Sequence, residues 1–149
     1  DSTFGSSLTS IAYAFVRIAS LKTLKIPKAR FESVTNANVM LRGTAVETMD
    51  IRSATFESLS SVTAMWDFTT LKNLYVPNSS TFPTTLDLGK LPLTYDSMQR
   101  VAGWLKDLTG SSAKTVTFKA DAYDALTAEQ QAALTAIIVT EKGWNLATA

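Results

Sequence analysis

The sequence predicts an α/β fold of the solenoid kind: short strands stacked in a parallel sheet, ended by a helical cap at the C-terminus. Three observations predict it. An apolar motif returns at a fixed step of 25 residues. Within each motif, polar residues alternate with the apolar ones, as a strand with one buried face requires. After the last regular unit the step is lost and two amphipathic helical stretches follow, which is how an open stack is sealed.

The motif occurs as "LKTLKIPK" from Leu21, "VETMDIRS" from Val46 and "LKNLYVPN" from Leu71. Shifted by 25, Leu21, Val46 and Leu71 coincide. So do Leu24, Met49 and Leu74, and then Ile26, Ile51 and Val76. The segments between agree as well: Phe31 in "ARFES" meets Phe56 in "ATFES", Val34 meets Leu59, and Met40 meets Met65. "STFGSS", with Phe4, reads as the same feature displaced by a two-residue insertion. A period of roughly 20 to 50 residues marks stacked units, none able to bury its apolar face alone. The order L-x-x-L-x-I is the strand signature of a leucine-rich repeat. Its last two apolar residues share one strand face, and the first lies where the chain enters the strand. Pro27 and Pro77 fall just after the strand, where a missing N–H is tolerated. Phe31 and Phe56 are expected as spacers on the convex return side.

The residues between the buried positions point outward in three rows. One row is Lys22, Glu47 and Lys72; the next is Thr23, Thr48 and Asn73; the third is Lys25, Asp50 and Tyr75. Strands lie about 4.8 Å apart, so alternating charge sets opposite signs side by side. Solenoids commonly bind partners on this sheet, which makes Lys25, Asp50, Lys72, Asn73 and Tyr75 the candidate binding residues. Tyr75 is the aromatic of the set, and aromatic residues dominate contact hot spots. The plain reading of the same rows is a solvated ladder.

"LPLTYDSMQRVAGWLKDLTG" predicts a helix with Thr94 as N-cap, Asp96 in the first turn and Gly110 at its C-terminal end. Met98, Val101, Ala102, Leu105 and Leu108 follow its apolar face. "AKTVTF" predicts a strand with Val116 and Phe118 in the places of Leu74 and Val76, and with Lys114, Thr115 and Thr117 on the exposed rows. "LTAEQQAALTAIIVTEKGW" predicts a second helix. Thr127 and Gln130 form its capping box, Leu134, Ile137 and Ile138 its apolar face, and Gly143 its end. "WNLA" is expected as a final strand. "VPNSSTFPTTLDLGKLP" reads as a turn-rich bridge between repeats and cap, or as a binding loop. The boundaries that follow are 1–78 for the repeats, the first incomplete, and 79–149 for the capping region, in one continuous domain.

The three tryptophans, Trp66, Trp104 and Trp144, are read as core filling rather than as sugar-stacking rings. Trp66 aligns with Leu41 and faces inward; Trp104 lies beside the main stripe and is expected partly exposed. "DAYDALTAEQ" gathers Asp121, Asp124 and Glu129 but lacks the spacing and central glycine of a calcium loop. Asp121 and Asp124 as a glycoside-cleaving pair find no sugar cleft around them in the sequence. "NSS" at Asn78 fits a glycosylation sequon without further support.

Composition bounds the function. The 149 residues suit one domain, 46% hydrophobic and 18% charged. Neither cysteine nor histidine is present. That removes disulfides, thiolate metal sites and cysteine nucleophiles, together with the commonest general base and metal ligand. Triad and HExxH chemistry cannot be built, so no enzyme, cofactor or metal site is expected. A net charge of +1 argues against a general grip on nucleic acid. No apolar run reaches the roughly 18 residues of a membrane span. "DSTFGSS" at the start shows no signal pattern, so the chain reads as a fragment of a longer protein.

"LKNLYVPN" and its relatives resemble the BspA-like leucine-rich repeats of bacteria, which carry an L-x-x-I-x-I-P strand segment and a phenylalanine-bearing turn. The run from "LTYDSMQRVAGWLKDLTG" through "TVTF" to "GWNLA" looks like the terminal cap of such repeats in gut bacteria and their phages. The resemblance covers nearly the whole chain. It departs in repeat length, which is longer here, and in the missing proline of "VETMDIRS". It implies a non-catalytic recognition or adhesion module that binds a protein or glycan, extracellular or at the cell surface. The alternative it implies is a structural component of a phage virion, as a capsid decoration, tail or fibre domain. In either case further repeats or another chain are expected over the N-terminal end.

Overall fold

The computed structural model describes residues 8–26, 33–54, 56–62, 65–66 and 70–149. Phe4, Pro27 and Phe31 of the repeat pattern lie outside them. The described chain is α/β, with six short strands in two parallel three-stranded sheets.

The first sheet holds β1 (Thr23–Lys25), β2 (Thr48–Asp50) and β3 (Asn73–Tyr75), in that order. Its register pairs Thr23 with Thr48 and Asn73, Leu24 with Met49 and Leu74, and Lys25 with Asp50 and Tyr75. The hydrogen-bond register is therefore the 25-residue step read from the sequence. The central residue of each strand is buried and both neighbours point away from the core. Val46, Leu71, Ile51 and Val76 flank the strands in the same core.

On the return side Ser10, Asn36 and Ser61 line up through parallel bridges. Val34, Met40, Phe56, Leu59 and Met65 are buried beneath this line, as their coincidence in the sequence predicts. The Ser60 hydroxyl reaches Thr35 O across 25 positions, whereas the Thr35 hydroxyl reaches Thr9 O across 26. The first described unit therefore carries one extra residue between this line and β1. With that offset Tyr13 matches Val39 and Arg17 matches Gly43, and all four have left-handed backbone, with φ of 61°, 58°, 61° and 72°. An L-residue there costs roughly 1 to 2 kcal/mol, partly offset by the entropy that glycine loses on folding. Arg17→Gly is accordingly expected to raise stability by about 0.5 kcal/mol, measured as the urea midpoint at constant m-value; a lower midpoint would refute the match with Gly43.

The second sheet has the order β4 (Leu86–Leu88), β5 (Thr115–Phe118) and β6 (Asn145–Thr148). Here the sequence reading is corrected twice. Val116 and Phe118 are buried as expected, but they lie beside Leu86 and Leu88, not in the places of Leu74 and Val76. Thr115 and Thr117 thus leave the exposed rows of the first sheet, and the Lys114 ammonium donates to Pro83 O. The first part of the outer β3 edge is taken by the start of α1. Lys72 O accepts from Thr94 N–H at 3.0 Å and from the Ser97 hydroxyl at 3.0 Å, while Leu74 N–H donates to Ser97 Oγ at 3.0 Å. The stretch read as a bridge also contains β4. Leu86 and Leu88 point to the core and Asp87 to solvent, but three residues between Pro83, Gly89 and Pro92 give too short an alternation to recognise.

The helix α1 (Tyr95–Trp104) begins as expected: Thr94 Oγ1 accepts from Ser97 N–H and Asp96 lies in the first turn. It stops six residues short of Gly110. Leu105 leaves the helix with ψ 135° and forms a parallel bridge to Phe82, whose N–H donates to Trp104 O at 2.9 Å. Leu105 and Leu108 are still buried, now from extended chain. Trp104 is only 1% exposed, against the expectation of partial exposure. Its ring lies 4.3 Å from that of Phe82 and edge-on to Phe56 at 6.2 Å, so it joins the repeat core to the second sheet. Trp66 and Trp144 are buried as read.

After a short helix α2 (Ala120–Asp124), α3 (Ala128–Thr135) opens with the Thr127–Gln130 capping box and widens into a π-helix over Ala136–Glu141. Leu134 and Ile138 are buried and Ile137 half-buried. Gly143 closes the turn at φ +68°, where a Cβ would stand 3.2 Å from the Leu108 carbonyl carbon. Lys142, the residue before it, is buried. Its ammonium donates to Gly103 O, Leu105 O and Ser80 Oγ at 2.7, 2.5 and 2.9 Å, across the C-terminus of α1. Asp121 pairs with Lys119 at 3.2 Å, and no three carboxylates gather for a metal among the described residues. Nor is any described helix long and apolar enough to cross a membrane.

Candidate functional site

All five residues singled out from the sequence lie outside the core of the first sheet: Lys25, Asp50, Asn73 and Tyr75 each flank a buried strand residue, and Lys72 stands where the chain enters β3. Their partners differ from the simple alternation of charge. In the first row Lys22 meets Glu47 at 3.3 Å, both largely exposed. Such a pair adds no more than about 1 kcal/mol. Lys72, on the other side of Glu47, has no carboxylate within 4 Å among the described residues. In the second row Asn73 reaches the Thr48 hydroxyl only at 3.5 Å.

The third row departs most. Asp50 turns from its neighbour Lys25 to Arg52, whose Nε and Nη2 grip the two carboxylate oxygens at 3.0 and 2.7 Å. That grip holds the Asp50 carboxyl below the usual aspartate range against the opposing effect of burial, with a smaller contribution from Lys25. The Lys25 side chain remains without an ion pair among the described residues. Tyr75 does not present a bare ring. The Arg52 guanidinium carbon lies 5.2 Å from its centroid and that of Arg100 lies 4.6 Å from it, both within cation–π range. Arg100 is tied only loosely to Asp96, at 3.9 Å one helical turn back.

Two grooves flank Arg52. One, of about 400 Å³, runs between the end of β3 and α1 and is lined by Val76, Pro77, Arg52, Arg100, Gln99 and Asp96. The other, of about 440 Å³, lies beside β1 and β2 between Lys25, Ile26, Asp50 and Arg52. Arg52 is the wall they share. The arrangement supplies positive hydrogen-bond donors in fixed positions, held by a ring and a carboxylate.

Arg52 and Arg100 were not among the residues picked from the sequence. A signal existed for the first: Arg52 occupies the position that Pro27 and Pro77 hold in the other two units. Arg100 had none, since a single arginine on the polar face of a helix is ordinary. No family model, no curated protein and no solved structure matches the chain.

Proposed function

We propose that the chain is a leucine-rich-repeat solenoid of the BspA-like kind, and that it serves as a non-catalytic recognition or adhesion module. It binds a protein or glycan, outside the cell or at its surface, through the exposed face of β1, β2 and β3. The observation that carries this reading is the coincidence of the 25-residue step with the strand register, which sets three polar rows on one rigid face. A prearranged face loses little conformational freedom on binding. Lys25 and Lys72 add to the support, as charges not spent on ion pairs among the described residues. Catalysis has no part in the proposal, since the chain lacks both cysteine and histidine.

A second reading, a structural part of a phage particle, draws on the first unit. Ile11 and Phe15 are only half-buried, while their counterparts Ala37 and Leu41 in the next unit are fully buried, and Tyr13 and Ile18 beside them are exposed. A covering chain or a further unit would account for that difference. Binding to an array of glycans and host-surface proteins, with Tyr75→Ala and Lys72→Glu beside the parent, tests the leading reading. Both variants are expected to lose at least about tenfold in affinity with their circular dichroism unchanged. An array on which the parent binds nothing favours the particle reading.

A further inference from the structure

We propose that the two grooves joined at Arg52 form one track for a linear acidic polysaccharide, its sulfate or carboxylate groups seated on Lys25, Arg52 and Arg100. The proposal rests on the recognition reading above and names the ligand class of the same face.

The three cations lie across the three strands. Lys25 ends β1, Arg52 follows β2, and Arg100 stacks on Tyr75 of β3. At about 4.8 Å per strand the three strands that carry them span roughly 10 Å, so one polymer with repeated anions can meet all three. Arg52 stands between the two grooves and borders both, so an extended ligand laid across it reaches each. Among the described residues, each cation keeps donors free. Arg52 spends one N–H of Nε and one of Nη2 on Asp50, out of the five a guanidinium owns. Arg100 has its carboxylate partner at the limit of contact. Counting Lys22, Lys25, Arg52, Lys72 and Arg100 against Glu47, Asp50 and Asp96, the face is net positive, although the whole chain is close to neutral.

Tyr75 is then a positioning residue. With guanidiniums against its ring, it orients Arg52 and Arg100 toward the grooves instead of stacking on a sugar. The same feature disfavours single-stranded nucleic acid, which needs open aromatic platforms for its bases. An acidic peptide adding as a strand at β3 meets Thr94 and Ser97 there, and addition at β1, the other edge of the sheet, is what the poly-glutamate comparison below tests. A linear polysaccharide requires neither.

The test titrates the whole chain with a size-defined, heparin-type sulfated oligosaccharide by calorimetry. Neutral dextran, a poly-glutamate peptide and a single-stranded oligonucleotide serve as comparison ligands. The sulfated oligosaccharide is expected to bind, and dextran not to. Arg100→Gln and Arg52→Gln should each weaken binding about tenfold or more, the loss of one charged hydrogen-bonding group. Lys119→Gln, which removes a charge just after β5 and away from the first sheet, should leave affinity unchanged. Equal loss in Lys119→Gln, or equal affinity for the peptide or the oligonucleotide, overturns the proposal. Binding of a neutral glycan or a protein through Tyr75 and Lys72, without binding of the sulfated ligand, also overturns it and leaves the broader recognition reading standing. Absence of every ligand from the array removes both.

Discussion

Lys142→Met is expected to lower stability by about 3 kcal/mol, read as a fall of roughly 6 to 12 °C in melting temperature for a chain of this length. Two large effects oppose each other. Burying an ammonium costs several kcal/mol, and methionine removes that cost. Against it stand three acceptors, Gly103 O, Leu105 O and Ser80 Oγ, that methionine leaves without their donor, each costing roughly 1 to 3 kcal/mol. Two of them are carbonyls at the C-terminus of α1, where a positive charge also meets the helix dipole. The third belongs to Ser80, in the segment that leads from β3 to Phe82. Three parts of the chain therefore separate when one side chain is shortened of its charge.

The same residue gives a pH signature. Burial pushes the Lys142 pKa below the ordinary lysine value, with Asp107 and Glu141 opposing the shift. Between that lowered value and the ordinary one near 10.5, the unfolded chain holds more protons than the folded one. Stability therefore gains from Lys142 as pH rises through this window, and the gain is absent below it. Melting the parent and Lys142→Met in parallel from neutral pH upward isolates the contribution. Identical pH profiles, or a variant as stable as the parent, would contradict the role given to this ammonium.

Ser97→Ala is expected to cost about 2 kcal/mol, the penalty of a buried backbone donor left without an acceptor. Ser97 is fully buried, and its hydroxyl is the acceptor for Leu74 N–H. Lys72 O suffers less, because Thr94 N–H still donates to it. The distinguishing readout is local. Amide exchange at Leu74 should accelerate far more than at Met49, one strand deeper in the sheet. Unchanged protection of Leu74 would show that something other than the hydroxyl closes this edge.

The first sheet was legible because its repeat is long enough to be compared with itself. Three apolar positions per unit, matched three times, leave one register open, and the Leu24, Met49 and Leu74 row follows it. The second sheet had no such internal copy. The Leu86–Leu88 strand is too short for its own alternation to stand out, and Thr115–Phe118 looked like a further member of the first sheet because its pattern is the same. Which neighbour a strand pairs with was decided elsewhere, by a hydroxyl at Ser97. That serine lies 25 positions after Lys72, in step with the repeats, yet it sits in a helix, where the step carries no strand signal.

The five candidate residues lie outside the core, as the alternation predicts, but their partners were not legible. Alternation told which side chains face outward, as a period of two always does. It did not tell that Asp50 would prefer Arg52 two residues on to Lys25 one strand away, because that choice depends on the bidentate fit of the guanidinium. Nor did it tell that a helix after the last repeat would lean Arg100 over Tyr75.

The closure at Ser97 makes the last strand indifferent to how many strands come before it. One oxygen acts as donor and acceptor to the same edge, as a peptide group of a further strand would. The helix is in this sense a generic fitting: it recognises the backbone of an edge and not a particular side chain, so substitutions on the outward side of β3 leave the contact itself unchanged.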